Sequence, residues 1–271
     1  MLVLVSLSLV AAVMGTNCPS QEMTDEYRNL FVRQHNTIRR QIAEGTANGH
    51  DGSKIGPAKN MYRLKYNCDL ETQALDATRL ACVDSIQHPA KYGQNIYTYV
   101  TKEIYDLDKK LLITNAVKQW YLPVVHYGLR EPNNVYADPR LFTFANLAYD
   151  KQVAVGCAYK ECPNPSTRGI ATCFYNFVVP PNAQLWEHGK ACAFDTDCTY
   201  SGYPGSTCNN GLCVRPGNTL PDPPTTTAAP TTTKTGCAIA QFLLIRCRQG
   251  LCPEWEEWNV PRGCRYAQNE I

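Results

Sequence analysis

The side chains best equipped for chemistry in this 271-residue chain are five histidines and fourteen cysteines. The histidines are His35, His50, His88, His126 and His188. Imidazole and thiolate together build zinc sites, and a cysteine beside a histidine builds a nucleophile. The cysteines, however, fall into even groups. Cys18, Cys68, Cys82, Cys157, Cys162 and Cys173 are widely spread, Cys192, Cys198, Cys208 and Cys213 crowd together, and Cys237, Cys247, Cys252 and Cys264 form a third set. Each set can close on itself through disulfides, and irregular spacing with few histidines disfavours zinc modules. Serines near His88, such as Ser85, lack the strand-turn-helix signature of a hydrolase nucleophile. The expectation is a chain without catalysis.

So many cysteines point to an oxidising compartment. Leu2 to Val13 is apolar and ends in small residues, which reads as a signal peptide over residues 1–15 cut after Gly15, although no Lys or Arg precedes the apolar core. No later stretch is long and apolar enough to span a bilayer, so a secreted, extracellular protein with no membrane span is expected. A net charge of +2 without a polybasic run gives no footprint for nucleic acid. A 44% hydrophobic content excludes disorder of the whole chain. No Asn-x-Ser/Thr sequon occurs.

Several elements must hold these residues. Thr24 and Asp25 start a helix whose Tyr27, Leu30, Phe31, Ile38 and Ile42 recur at helical spacing, with Gly45 as its stop. A second helix is expected from about Asp69 to Cys82. A third spans about Leu111 to Val125, with Pro123 marking its end or a kink. Phe142 to Leu147 is apolar and compact. Val153–Tyr159 and Ile170–Val179, rich in β-branched and aromatic residues, read as a hairpin. Helices on both faces of a small antiparallel sheet would bury this set. The expected organisation is a main domain over 16–185, a cysteine-rich hinge over 186–215, a Thr/Pro-rich linker over 216–236 and a cysteine-rich tail over 237–271. The linker composition suits an extended, O-glycosylated stalk.

Ordered motifs give a resemblance. His35-Asn36-Thr37-Ile38-Arg39, Ala58 to Leu64, Leu70 to Ala74, Gly93-Gln94-Asn95-Ile96-Tyr97, Phe142 to Tyr149, Val155 to Tyr159 and Thr172 to Asn176 are similar to segments of the CAP superfamily. The wording is nearest to its nematode venom-allergen-like branch, and the resemblance covers about Thr24 to Leu185. It implies an α+β fold, a three-layer α-β-α sandwich, with disulfides Cys157–Cys173, Cys82–Cys162 and Cys18–Cys68. Gly189 to Cys213 resembles the family's hinge.

The resemblance also implies a cleft in which two histidines and two glutamates hold a divalent metal. Here those positions fall on His88, Gln94, Pro123 and Thr143. An amide, a donorless ring and a hydroxyl do not replace two carboxylates and an imidazole around a dication. No metal and no cofactor is therefore expected; His126, which follows the altered motif and could face His88, would make only two imidazoles. A metal-dependent hydrolase is kept only as the third alternative, behind two binding functions. One is engagement of an extracellular host protein, with Trp255 and Trp258 as aromatic anchors in the tail. The other is carriage of a sterol or fatty acid at Tyr92, Tyr97 and Tyr99, which resemble an aromatic loop of the family.

Overall fold

The computed structural model describes residues 18–83, 91–163 and 166–222. Helix α1 (Asp25–Glu44) starts where Thr24 accepts the Tyr27 N–H and stops where Gly45 turns at φ 71°. That left-handed conformation suits glycine at a helix end. Helix α2 (Cys68–Cys82) is capped by Asn67, whose side chain accepts the Leu70 N–H. Helix α3 (Lys109–Tyr127) runs through Pro123 instead of ending there. Proline's fixed φ fits a helix and costs one hydrogen bond, and buried Trp120 and Val124 on either side hold the backbone to the core. The compact stretch after residue 141 is helix α4 (Phe142–Ala148).

Four strands form the central sheet: β1 (Lys65–Tyr66), β2 (Gly93–Val100), β3 (Ala154–Glu161) and β4 (Arg168–Tyr175). Their order is β1-β3-β4-β2. β3 and β4 form the expected hairpin, and β2 lies antiparallel to β4 from Gly93 opposite Tyr175 to Val100 opposite Arg168. β1 is parallel to β3, pairing Lys65 with Ala154 and Tyr66 with Val155, so the sheet is mixed and not purely antiparallel. Two residues are too few to show a strand period. The segment from Gly93 to Val100, whose tyrosines resemble an aromatic loop of the family, is a full strand.

Helix α2 covers one face of the sheet, and α1, α3 and α4 cover the other. Gly156 makes the first packing possible, because a Cβ there would lie 2.6 Å from the Asn67 carbonyl oxygen and against the backbone of Leu70 and Glu71. On the other face Phe31, Trp120, Leu147 and Tyr175 are fully or almost fully buried. This is the α-β-α sandwich. Disulfides join Cys18 to Cys68, Cys82 to Cys162, and Cys157 to Cys173 across the hairpin.

After Leu185 the chain packs back on this body. Strands β5 (Thr207–Asn209) and β6 (Leu212–Val214) form a small antiparallel ribbon, held by Cys192–Cys208 and Cys198–Cys213. The Arg63 N–H donates to the Cys213 carbonyl at 2.7 Å, and the Cys213 N–H to the Met61 carbonyl at 2.9 Å. The Thr199 N–H donates to Asn60 Oδ1 at 2.8 Å, and the Tyr203 hydroxyl to the Lys151 carbonyl at 2.9 Å. Lys65 Nζ grips the carbonyls of Arg215 and Gly217, each at 2.8 Å. The segment after Leu185 is sewn to the sandwich at each of these points.

Candidate functional site

Strand β2, helix α3 and the start of α4 carry the described positions at which the resemblance would put metal ligands. Neighbouring side chains on a strand point to opposite faces. Gln94 accordingly turns toward Thr172, its Nε2 donating to Thr172 Oγ1 at 3.2 Å. Asn95 turns the other way, and its Nδ2 donates to the Thr143 carbonyl at 2.8 Å. The Thr143 hydroxyl donates to the Trp120 carbonyl at 3.0 Å. Pro123, one turn further along α3, offers no ligand atom in its side chain. The sheet thus carries the Gln94 amide away from Thr143, and the hydroxyl of Thr143 is engaged with backbone. These three residues do not fit a divalent cation, since none offers a carboxylate or imidazole. His88 lies outside the described residues.

The other histidines do not assemble a site. His35 is fully buried on α1, and His126 is exposed on α3. His50 Nδ1 donates to the Val125 carbonyl at 2.9 Å while its Nε2 lies 3.0 Å from Asp51. His188 Nε2 accepts from Asn134 at 3.0 Å. Among the described residues the one close group of metal-type ligands is Cys192, Cys198 and Cys213. All three are in disulfides, which removes the thiolates a metal needs.

The tyrosines expected to meet lipid are half-buried and pack on the main core. Tyr97 and Tyr99 lie edge to face with ring centres 4.8 Å apart. The Tyr99 hydroxyl donates to the Leu112 carbonyl at 2.5 Å, tying β2 to α3. Burial pushes that phenol up to about 12. Tyr92 packs on the same core and carries Lys91 Nζ 5.3 Å from its ring centre. Trp255 and Trp258 lie outside the described residues.

Two buried polar clusters were not apparent from the sequence. In the first, the Arg39 guanidinium is wholly buried and donates to five carbonyls, those of Tyr62, Leu147, Tyr149, Asp150 and Gln152, at 2.7 to 3.2 Å. Burial lowers its pKa to about 10. In the second, Lys151 Nζ bridges Asp150 Oδ2 at 2.9 Å and Glu187 Oε1 at 3.0 Å, and sits 4.4 Å from the ring centre of Tyr200. Burial pushes the Asp150 carboxyl up to about 6. The first ties the backbone at Tyr62 and at residues 147–152 to α1, and the second holds Glu187 and Tyr200 of the segment after Leu185 to Lys151. The only sequence signal was the His35-Asn36-Thr37-Ile38-Arg39 motif, which places Arg39 on the buried stripe of α1 without naming its partners.

Comparison with known proteins agrees with this architecture. Residues 32–179 match the CAP family, described as the cysteine-rich secretory protein family. Ancylostoma secreted protein of Ancylostoma caninum is 33% identical over 202 residues, which are 74% of this chain and 46% of that protein. The crystal structure of Na-ASP-1 aligns with TM-score 0.67 and 30% identity over 88% of this chain and 59% of that one. The structure of BmVAL-1 aligns with TM-score 0.63 and 27% identity over 73% of this chain and 98% of that one. The chain therefore spans about half the length of the Ancylostoma relative and all but the whole of BmVAL-1. With the matched segment covering more than half of its length and both layers of helices in place around the sheet, the chain belongs to the CAP family, the cysteine-rich secretory proteins.

Proposed function

We propose that this protein is a secreted, non-catalytic CAP-domain effector that works by binding an extracellular host protein. The observation that carries this reading is the state of three positions on β2, α3 and α4: Gln94, Pro123 and Thr143 offer an amide bound to Thr172, a ring without a donor and a hydroxyl bound to Trp120. A site of that composition neither polarises a carbonyl nor activates water. What remains is a rigid surface, stapled by five disulfides among the described residues and suited to presenting loops. Sterol or fatty-acid carriage at Tyr92, Tyr97 and Tyr99 has less support, because Tyr99 is engaged with α3 and Tyr97 with Tyr99.

The test uses the full secreted chain. Its metal content is measured after folding, its hydrolysis of peptide and ester panels is assayed, and a partner crosslinked in host plasma or on leukocytes and platelets is identified by mass spectrometry. The reading requires saturable, reciprocal binding with that purified partner and no stoichiometric metal. Bound zinc together with hydrolysis, or the absence of any saturable partner, overturns it.

A further inference from the structure

The two edges of the central sheet are treated differently. Edge strand β1 has only two residues, and Lys65 within it is clamped by the carbonyls of Arg215 and Gly217. Edge strand β2 has eight residues and pairs with β4 in unbroken register, without a bulge. The hydrogen-bond alternation fixes which of its backbone groups face outward. The Cys162 N–H donates to the Arg168 carbonyl, so even-numbered residues of β4 face β3 and odd-numbered ones face β2. Residues 93, 95, 97 and 99 of β2 therefore bond to β4, a pattern continued by the Thr101 N–H on the Thr167 carbonyl.

The outward groups belong to Gln94, Ile96, Thr98 and Val100. Asn146 Nδ2 caps the Gln94 carbonyl at 3.2 Å. Among the described residues nothing caps those of Ile96, Thr98 and Val100, and this stretch is open: Thr98 is exposed and Val100 is 72% exposed. Soluble proteins usually blunt a long edge with a charge, a proline or a bulge. Between Gly93 and Val100 there is none of these.

We propose that the outer edge of β2 pairs antiparallel with β2 of a second copy of this chain, about a two-fold axis at Thr98. The strand is self-complementary in that register. Thr98 meets its own symmetry mate, Ile96 meets Val100, and on the other face Tyr97 meets Tyr99. Every such pair is β-branched with β-branched or aromatic with aromatic, the combinations that stabilise neighbouring strands. No like charges are brought face to face along it. A two-fold axis makes the contact close on itself as a dimer.

The experiment measures the molar mass of the full secreted chain by light scattering and sedimentation, from low to high micromolar concentration. The wild type is expected to reach twice the monomer mass. Thr98→Lys and Thr98→Glu each place like charges at the axis and are expected to weaken the dimer at least about tenfold, with circular dichroism unchanged. Mixing the two variants restores a mass of two chains, because lysine then faces glutamate. Thr98→Pro gives a second route, since it removes one outward N–H and leaves the ladder to β4 intact. A wild type that stays monomeric, or a dimer indifferent to folded variants at residue 98, overturns the proposal. So does a failure of the charge-swapped mixture to recover the dimer.

Discussion

The His35 imidazole accepts a hydrogen bond from the Tyr175 hydroxyl across the interior, with Nε2 and the phenol oxygen 2.8 Å apart. The direction follows from the other ring nitrogen, whose Nδ1 lies 2.8 Å from the Phe31 carbonyl and must donate to it. Asn95 Nδ2 then donates to the Tyr175 oxygen at 3.1 Å, and Asn146 Nδ2 to Asn95 Oδ1 at 3.0 Å. One chain of hydrogen bonds thus joins α1, β4, β2 and α4. Tyr175→Phe leaves the buried Nε2 without a donor and is expected to cost about 1–3 kcal/mol. The shift of the urea midpoint checks this, and an unchanged midpoint would show that the imidazole is satisfied elsewhere.

Two buried groups make opposed contributions to the pH dependence of stability. Burial lowers the His35 pKa from 6.5 to about 4. Between those values the unfolded chain takes up a proton that the folded chain refuses, so acidification destabilises. Burial raises Asp150 from 3.8 to about 6, despite Lys151 and Arg39 nearby. Over that interval the folded chain takes up the proton, so acidification stabilises. The two nearly offset one another between pH 6 and pH 4. In Asp150→Asn the histidine contribution is no longer opposed by this carboxyl, and stability should fall more steeply there by about 1.4 kcal/mol per pH unit. Unfolding free energies across this range give the slopes; parallel curves would refute the assignment.

Arg39→Lys tests the five-carbonyl cluster. An ammonium has three donors on one point and cannot follow a planar fork. Several carbonyls would lose their partners beside a buried charge, at a cost of about 3–5 kcal/mol. Chemical denaturation of the folded variant measures it, and a loss below about 1 kcal/mol would mean that water replaces the guanidinium.

Gly156→Ala addresses the contact between α2 and the sheet. The added methyl meets backbone and not a flexible side-chain end, so the helix must lift. Overpacking of this kind costs about 1–3 kcal/mol or more. Thermal unfolding reads the effect. A neutral result would show that α2 has room to move.

The sequence was most legible where a period ran long enough to repeat. Thr24, the apolar stripe and Gly45 set the limits of α1 within a residue of those found, and the β3–β4 hairpin followed from its β-branched runs. Pro123 left an end or a kink open, because proline's local cost says nothing of the buried Trp120 and Val124 beside it, and the helix continues through it. β1 escaped because two residues carry no alternation. At the candidate site, Gln94, Pro123 and Thr143 could be identified by motif, but the opposite orientations of Gln94 and Asn95 depend on strand parity, which single motifs do not encode. The carbonyls around Arg39 come from backbone, and backbone leaves no trace in residue type.

The grip of Lys65 on the carbonyls of Arg215 and Gly217 has a geometric outcome. The polypeptide stays on the sandwich beside β1, the sheet margin farthest from β2, as far as Leu220, which packs against the main core. The two margins thus differ in tenancy: the one at β1 is occupied by the protein's own chain.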